Sequence, residues 1–378
     1  MPGSLDFPEA PLVIEDGLIL AYRVFDVGDA IRLDVVETLL GDAPARRRAR
    51  LMREGAECLE FAVLPLDVPI GPRDVKLASG RGMQGDVAAR LFDYGAASVV
   101  FEWPIPSGTS IHDLLPLCDE LYESTALEDA ARREVRGLVE KIQSAIERPH
   151  HWSGVETYTV VFVRSFAGNP PMSRVTDAPA VAKMLLGEAG PKSLADDARR
   201  DVLKHAHSYF EDDLAIIDYT SALVVEPSGS RDIPDILEFA ASQLLELRYY
   251  DEILDRELLR IYDEFDIAHR TRRTLFRSPY EKLARAVLRR FVELSEFTER
   301  VDNALKVVGD FYLARVYRSA VQRFRIATWQ ASVDGKQALV AQAYSLLKGE
   351  VDIRRSTLLE IIVIVLILLE LVAALRGK

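Results

Sequence analysis

Cysteine is almost absent from this 378-residue chain: only Cys58 and Cys118 occur, far apart and without metal-ligand spacing. That argues against a disulfide framework and fits a reducing compartment. Histidine is scarce too, at six residues. His205-Ala206-His207, read on a helix, sets its two rings about 200° apart, so they cannot share a metal there. His150-His151-Trp152 sits in a loop beside Pro149 with no Cys or third His nearby. No GxSxG, HExxH or P-loop pattern occurs, so the sequence nominates no catalytic residue, metal ligand, cofactor or small-molecule substrate. Gly80-Arg81-Gly82-Met83-Gln84-Gly85 spells GxGxxG, but Pro72 and Lys76 spoil the strand a dinucleotide site needs before it, which leaves a tightly turning loop. A hydrolase would need a polar pocket that the sequence does not locate. The N-terminus, MPGSLDFPEA, lacks a basic n-region and an apolar h-region and reads as neither signal nor transit peptide. Positive charge is in deficit as well. The net charge of −12 argues against the whole protein being a nucleic-acid binder.

What is present is one long apolar run, Leu358 to Leu375 (LLEIIVIVLILLELVAAL). As a helix it measures roughly 27 Å, just enough for a hydrocarbon core of ~30 Å. Arg354 and Arg355 flank one end, Arg376 and Lys378 the other. The expectation is a transmembrane tail anchor over 356–376, crossing the lipid bilayer once with the head on the cytoplasmic side. Glu360 and Glu370 interrupt the run, and an acid inside a span is costly and normally faces a partner. They support the other reading, a buried helix in an oligomer core.

The first half alternates strand and helix patterns. Leu18–Phe25, Cys58–Leu66, Ala89–Phe92, Ala96–Trp103, Thr157–Arg164, Leu214–Ile217 and Ala222–Glu226 read as strands. Asp29 reads as the cap of a helix reaching Leu40, Pro69 to Gly85 as a loop, and Leu194–Tyr209 as helical. Two units follow, 1–150 and 151–230. Asp93-Tyr94 before a hydrophobic run matches Asp218-Tyr219 before another, which points to a duplicated ferredoxin-like unit in an α+β head. A dipeptide and a short apolar run are all that carry the duplication.

From 231 to 349 the pattern is helical and reads as a long antiparallel bundle or coiled coil. Leu237, Ala240, Leu244, Leu247, Leu254, Leu258 and Ile261 follow 3-4 spacing, as do Leu283, Val287, Leu294 and Phe297. A third stripe runs through Leu313, Tyr317, Ala320, Phe324, Ala327, Ala331 and Ala338 and stops at Gly349. Asp251, Arg290 and Asp334 are the charged residues inside these stripes. They are expected to form a buried polar layer that fixes register, with Arg290 between the two acids. Between Arg270 and Arg325 fourteen Lys and Arg face six Asp and Glu, a net of about +8. Arg270, Arg272, Arg273, Arg277 and Arg289 are candidates for a basic surface that meets anionic lipid or RNA. Solvated helix faces are the plainer reading.

Phe92-Asp93-Tyr94-Gly95 with Val99-Val100-Phe101-Glu102-Trp103 is similar to the aromatic-Tyr-Gly turn and following strand of the Rmd/YagE proteins (required for meiotic nuclear division). Residues 311 to 375, with Tyr317-Arg318, Arg323 and a membrane-type helix beginning Leu359-Glu360, resemble the same family, with Ile361 where it typically has Trp. The resemblance implies a membrane-anchored, oligomeric helical-bundle protein without an established biochemical activity. Its mitochondrial members are linked to organelle translation, whereas the acidic N-terminus here argues for a bacterial-type cytoplasmic side. The reading that results is a tail-anchored, non-enzymatic scaffold or assembly protein, a homo-oligomer with a cytoplasmic head. A membrane-tethered RNA or nucleotide binder using residues 270–325 is the alternative.

Overall fold

The computed structural model describes residues 11–41, 47–48, 59–61, 63–270, 285, 287–289, 292, 305–307 and 311–376. The chain divides into two compact units, Met1–Glu246 with Arg300–Ala327, and Leu247–Glu299 with Thr328–Lys378.

The first unit is built on β1 (Val13–Asp26), whose aliphatic run is buried from Ile19 to Val27. After it come β2 (Gly28–Ile31), α1 (Leu33–Leu40), β3 (Arg47–Arg48), β4 (Leu59–Phe61), β5 (Leu66–Lys76), β6 (Gly82–Leu91), β7 (Ala96–Pro104) and β8 (Thr109–Ser110). The chain continues with α2 (Ile111–Tyr122), α3 (Thr125–Ile142), β9 (Ile146–Pro149), β10 (Glu156–Phe166), α4 (Met172–Asp177), α5 (Pro179–Leu186) and α6 (Asp196–Leu203). Then come β11 (Ala206–His207), β12 (Leu214–Ile217), β13 (Ser221–Val225), α7 (Asp232–Arg270), β14 (Leu305–Val307), α8 (Phe311–Arg323) and α9 (Ile326–Arg376). One mixed sheet has the order β11-β12-β13-β10-β1-β7-β6-β5-β3, with β8 also on β1. The segments 1–150 and 151–230 therefore contribute to a single sheet.

Both faces of that sheet are covered, as the burial of successive residues of β1 requires. Ile19, Ala21 and Phe25 join Leu114, Leu121, Leu127 and Leu138 in one core under α2 and α3. On the other face Phe92 and Tyr94 pack on Phe239 of α7, and Tyr158 packs edge-on against Phe324. The first four turns of α7 are accordingly buried nearly all round, from Ile233 to Leu247, the burial expected of a core helix. A coiled-coil seam would bury one stripe only.

Several local expectations change. Pro69 to Gly85 belongs to the long β5–β6 hairpin, whose turn places Gly80 at φ +86°. Pro69 and Pro72 are tolerated because, among the described residues, the far edge of β5 pairs only at Leu66 and Asp67, with β3, and a register shift follows Pro69. Asp29 lies in β2, and α1 starts at Leu33. His207 lies in β11, and α6 ends at Leu203. Asp93-Tyr94 and Asp218-Tyr219 occupy two hairpin turns of the sheet. However, β7 runs antiparallel to β1 while β13 runs parallel to β10, so the two halves do not repeat strand for strand.

In the second unit the buried residues described in α7 are Leu247, Tyr249, Tyr250, Leu254, Leu258 and Ile261, the last three at 4-3 spacing. Those of α9 are Val333, Val340 and Leu347, one per heptad. Ala327, Ala331 and Ala338 of the expected stripe are exposed. The cause is a break at Phe324–Arg325, where Arg325 takes φ +56° and the helical phase restarts. Past Gly349 there is no stop: α9 is one helix of 51 residues that runs into the apolar stretch. Ser356–Ala373, with a mean hydropathy of 2.6, is long and apolar enough to cross a membrane, and none of it is buried.

A polar cavity at the end of the central strand

Two glycines set the geometry where β1 ends. Gly95, at φ +109°, brings its Cα so close to β2 that an added Cβ would lie 1.8 Å from the Gly28 carbonyl oxygen. A Cβ on Gly28 would lie 2.4 Å from Ile146 in β9. Backbone can pass backbone here only without side chains. The close β2–β9 pairing, with Gly28 opposite Pro149, carries His150 back over Asp26, the last residue of β1. The Gly28 N–H donates to Asp26 Oδ1 at 3.3 Å.

His150 Nε2 lies 2.8 Å from Asp26 Oδ1, and Nδ1 lies 3.6 Å from Asp29 Oδ1. Arg148 Nε holds the other Asp29 oxygen at 2.7 Å. The Asp26 side chain is wholly buried. Burial raises its pKa, opposed by His150 and by the Gly28 N–H. Burial alone would lower His150, but Asp26 and Asp29 outweigh it and hold the imidazole up to about 9. It is an imidazolium at neutral pH, unsuited to take a proton as a general base. Beneath it Glu246 of α7 is pushed well above the carboxylate range, by burial first and then by the fields of Asp26 and Asp29. Asp26 Oδ2 and Glu246 Oε1 are both buried without a hydrogen-bond partner.

Over Asp26 and His150 opens a cavity of about 540 Å³, a size that suits a small ligand. One wall is a stripe of α3 carrying Arg132, Val135, Arg136 and Val139; the other holds Phe25, His150 and Trp152. Arg132 donates to Glu128 at 2.7 Å and to the Ser153 carbonyl at 2.5 Å, with its guanidinium 5.3 Å from the Phe25 ring centre. Arg136 is exposed and has no ion pair among the described residues. The site can neutralise an anion and cover an apolar body. It offers no nucleophile beside a base.

Two further charge networks tie helices to the sheet. Arg90 of β6 donates to Asp67 at 2.6 Å, and to Asp235 and Glu238 of α7 at 2.8 Å each. Burial raises Asp235 and carries Glu238 up to about 7. Arg323 of α8 binds Asp218 and, at 2.8 Å, Asp201. A second cavity, of about 470 Å³, is lined by Asp212, Asp213, Glu226 and Asp232. Two of these acids serve turns: Asp213 accepts from the Tyr209 and Phe210 N–H groups, and Glu226 from Ser228. Among the described residues no His, Cys, Asp and Glu group could hold a metal ion.

The residues singled out from sequence lie elsewhere. Asp251 is part of a half-buried clamp, but its cation is Lys336, at 2.8 Å, and Ser332 donates to it at 2.6 Å. Asp334 is exposed and accepts from Gln330 in its own helix, because the phase of α9 restarts at Ile326. Arg290, Arg272, Arg273 and Arg277 lie outside the described residues. Arg270 ends α7, Arg289 is exposed, and Glu360 and Glu370 are exposed on α9. Sequence reasoning missed Asp26, Glu246, Arg132 and Arg136. The one usable signal was Arg132 and Arg136 at i,i+4 on an amphipathic helix.

Residues 16–231, more than half of the chain, match the family described as "Uncharacterized protein MJ0711, N-terminal domain". The protein of that name from Methanocaldococcus jannaschii is 24% identical over 226 residues, which is 58% of this chain and 66% of that protein. The chain thus spans just under two thirds of its relative's length. The matched region covers the sheet, the cavity wall on α3 and His150, and ends at the start of α7.

Proposed function

The chain belongs to the MJ0711 N-terminal domain family, and we propose that it is a membrane-tethered, non-enzymatic scaffold or assembly protein. The apolar part of α9 holds it at a bilayer with the α+β head on the cytoplasmic side. The observation that carries this reading is the exposure of Ser356–Ala373, none of whose 18 residues is buried. Leaving that run in water forgoes about 1.5–3 kcal/mol for each Leu, Ile or Val that a hydrocarbon phase would cover. Glu360 and Glu370 are ten residues apart, roughly 15 Å along the helix, so they do not share one depth. Glu370, deeper in the run, is the one that calls for a partner, which makes a homo-oligomer part of the proposal. Cys118, a free buried thiol, is consistent with a reducing side.

The test is flotation of the full chain with liposomes, beside a chain ending at Arg355. The full chain should float and resist carbonate extraction, and the shortened one should stay soluble with an unchanged head melting transition. A full chain that remains a defined soluble oligomer without lipid or detergent, with the shortened chain recovered only as aggregate, would make the run a buried core helix.

A further inference from the structure

The cavity over Asp26 and His150 has a chemistry that the tethering role does not use. Its α3 wall presents two side-chain pairs at i,i+4. Arg132 and Arg136 stand one turn apart, about 5–6 Å between Cβ atoms, and Val135 and Val139 form a neighbouring apolar pair. Opposite them are the rings of Phe25 and Trp152. Cationic and apolar strips therefore run side by side along one helix, facing aromatic surface. Glu128 pairs with Arg132, and Arg136 is the cation of this strip without an ion pair among the described residues. Asp26 is wholly buried and already faces the His150 imidazolium, and Glu128 engages Arg132 through Nε and Nη2, leaving Nη1. Glu140, at the rim, forms no ion pair with Arg136. His150 has both ring nitrogens turned to Asp26 and Asp29, so it supplies charge balance beneath the floor while the arginines supply the donors. The volume of about 540 Å³ suits a molecule of one or two rings.

We propose that this cavity binds a small organic anion with a flat aromatic body, its carboxylate or phosphate on Arg132 and Arg136 and its ring against Trp152. Guanidinium pairs favour such oxyanions because their planar N–H forks match the oxygen geometry. The ring gains apolar cover and an aromatic face at the same time. A bare inorganic anion would use only the first half of the site, and an uncharged ring only the second.

The experiment is a fluorescence titration of the full chain in detergent, with four probes: 2-naphthoate, AMP, inorganic phosphate and the uncharged 2-naphthylmethanol. Trp152→Phe serves to assign the signal, since Trp103 and Trp329 also emit. Either anionic aromatic probe should give saturable quenching that Trp152→Phe abolishes, and the one that binds tells carboxylate from phosphate. Phosphate and 2-naphthylmethanol should bind at least about tenfold more weakly, the loss of one charge-assisted contact set. Arg136→Ala should weaken the anionic probe by at least about tenfold, and Arg136→Lys should restore part of it. Arg136 is exposed, so the variant should melt as the parent does; Arg132 is avoided as the main variant because it also holds Ser153. No saturable binding of either anionic probe, equal binding of 2-naphthylmethanol, or an unchanged affinity in a folded Arg136→Ala protein would overturn the proposal.

Discussion

Glu238 offers the sharpest test of how the α7 face of the head is held. Its side chain is 2% exposed, Oε2 takes one Arg90 bond at 2.8 Å, and Oε1 makes no well-formed hydrogen bond, with the Ser98 hydroxyl beside it. Burial, only partly countered by Arg90, carries its pKa from 4.5 up to about 7. The sign follows from proton binding. Between pH 4.5 and 7 the folded protein holds a proton that the unfolded chain has released, so this group's stabilisation is complete below 4.5 and is lost as pH rises to about 7. A shift of about 2.5 units corresponds to about 3 kcal/mol. Glu238→Gln mimics the protonated side chain at every pH, and Arg90 keeps Asp67 and Asp235. The variant should match the parent at pH 4.5–5 and exceed its stability by about 3 kcal/mol at pH 8. For a domain of this size that is roughly 6–12 °C in melting temperature.

Circular dichroism melts of both proteins in detergent, from pH 5 to 9, measure this directly. Glu246 is also raised by burial and gives both proteins the same slope, whereas Asp235 shares Arg90 with Glu238, so the difference between the curves reports Glu238 together with its effect on Asp235. Parallel curves, or a variant less stable than the parent at pH 8, would refute the reasoning. The second result would mean that the ionised Glu238–Arg90 pair is net stabilising despite its burial, against the balance expected for such pairs.

Arg90→Leu should be far worse than Glu238→Gln, by about 3–5 kcal/mol in chemical denaturation at pH 7, because it leaves the Asp235 and Glu238 carboxyls without their cation. The His150 imidazole should titrate near 9 by NMR, and in Asp26→Asn it should fall by well over one unit; a value near 6.5 in the parent would dismiss the ion pair. Lys336→Met removes the cation from Asp251 and Asp255, bound at 2.8 and 2.7 Å, and should raise hydrogen exchange in α9 around Val333 and Val340, at a cost of about 1–2 kcal/mol. Unchanged protection there would show that the clamp is only a surface pair. Gly95→Ala should leave little soluble head, since its Cβ would overlap the Gly28 carbonyl, whereas Gly108→Ala, at φ +91° with open space around it, should fold with a modest penalty.

The elements that were legible in sequence are strands in which apolar spacing and burial coincide, and one helix whose apolar run is long enough to stand out by itself. Leu18–Phe25, Thr157–Arg164 and Leu214–Ile217 lie within strands, and the run after Leu358 lies within a helix. The β5–β6 hairpin was not legible, because its glycines and prolines carry loop signals whose cause is tertiary. Gly85 is needed where a Cβ would come 2.1 Å from the Glu102 carbonyl oxygen on β7, so a glycine that spells part of a phosphate motif is in fact a close strand contact. Coiled-coil spacing over Leu237–Leu247 was real as a pattern, yet Glu238, Ser242 and Glu246 between those residues are buried too.

The candidate site was hidden for the same reason. Periodicity counts apolar residues and assigns charge to water, whereas this head buries charge wherever a partner from a distant segment meets it. Asp26 looks like the polar end of a strand until β9 returns His150 to it. Glu238 looks like a solvated helix face until Arg90 of β6 is placed beneath it. In each case the buried group stands on one element and its neutralising partner on another, so neither segment alone carries the signal. Of the polar layer expected among Asp251, Arg290 and Asp334, only the two acids are described, one paired with Lys336 and the other exposed. Half-buried Asp251 does take a cation from another helix, Lys336, while the break at Arg325 restarts the phase of α9 and leaves Asp334 exposed; Arg290 lies outside the described residues.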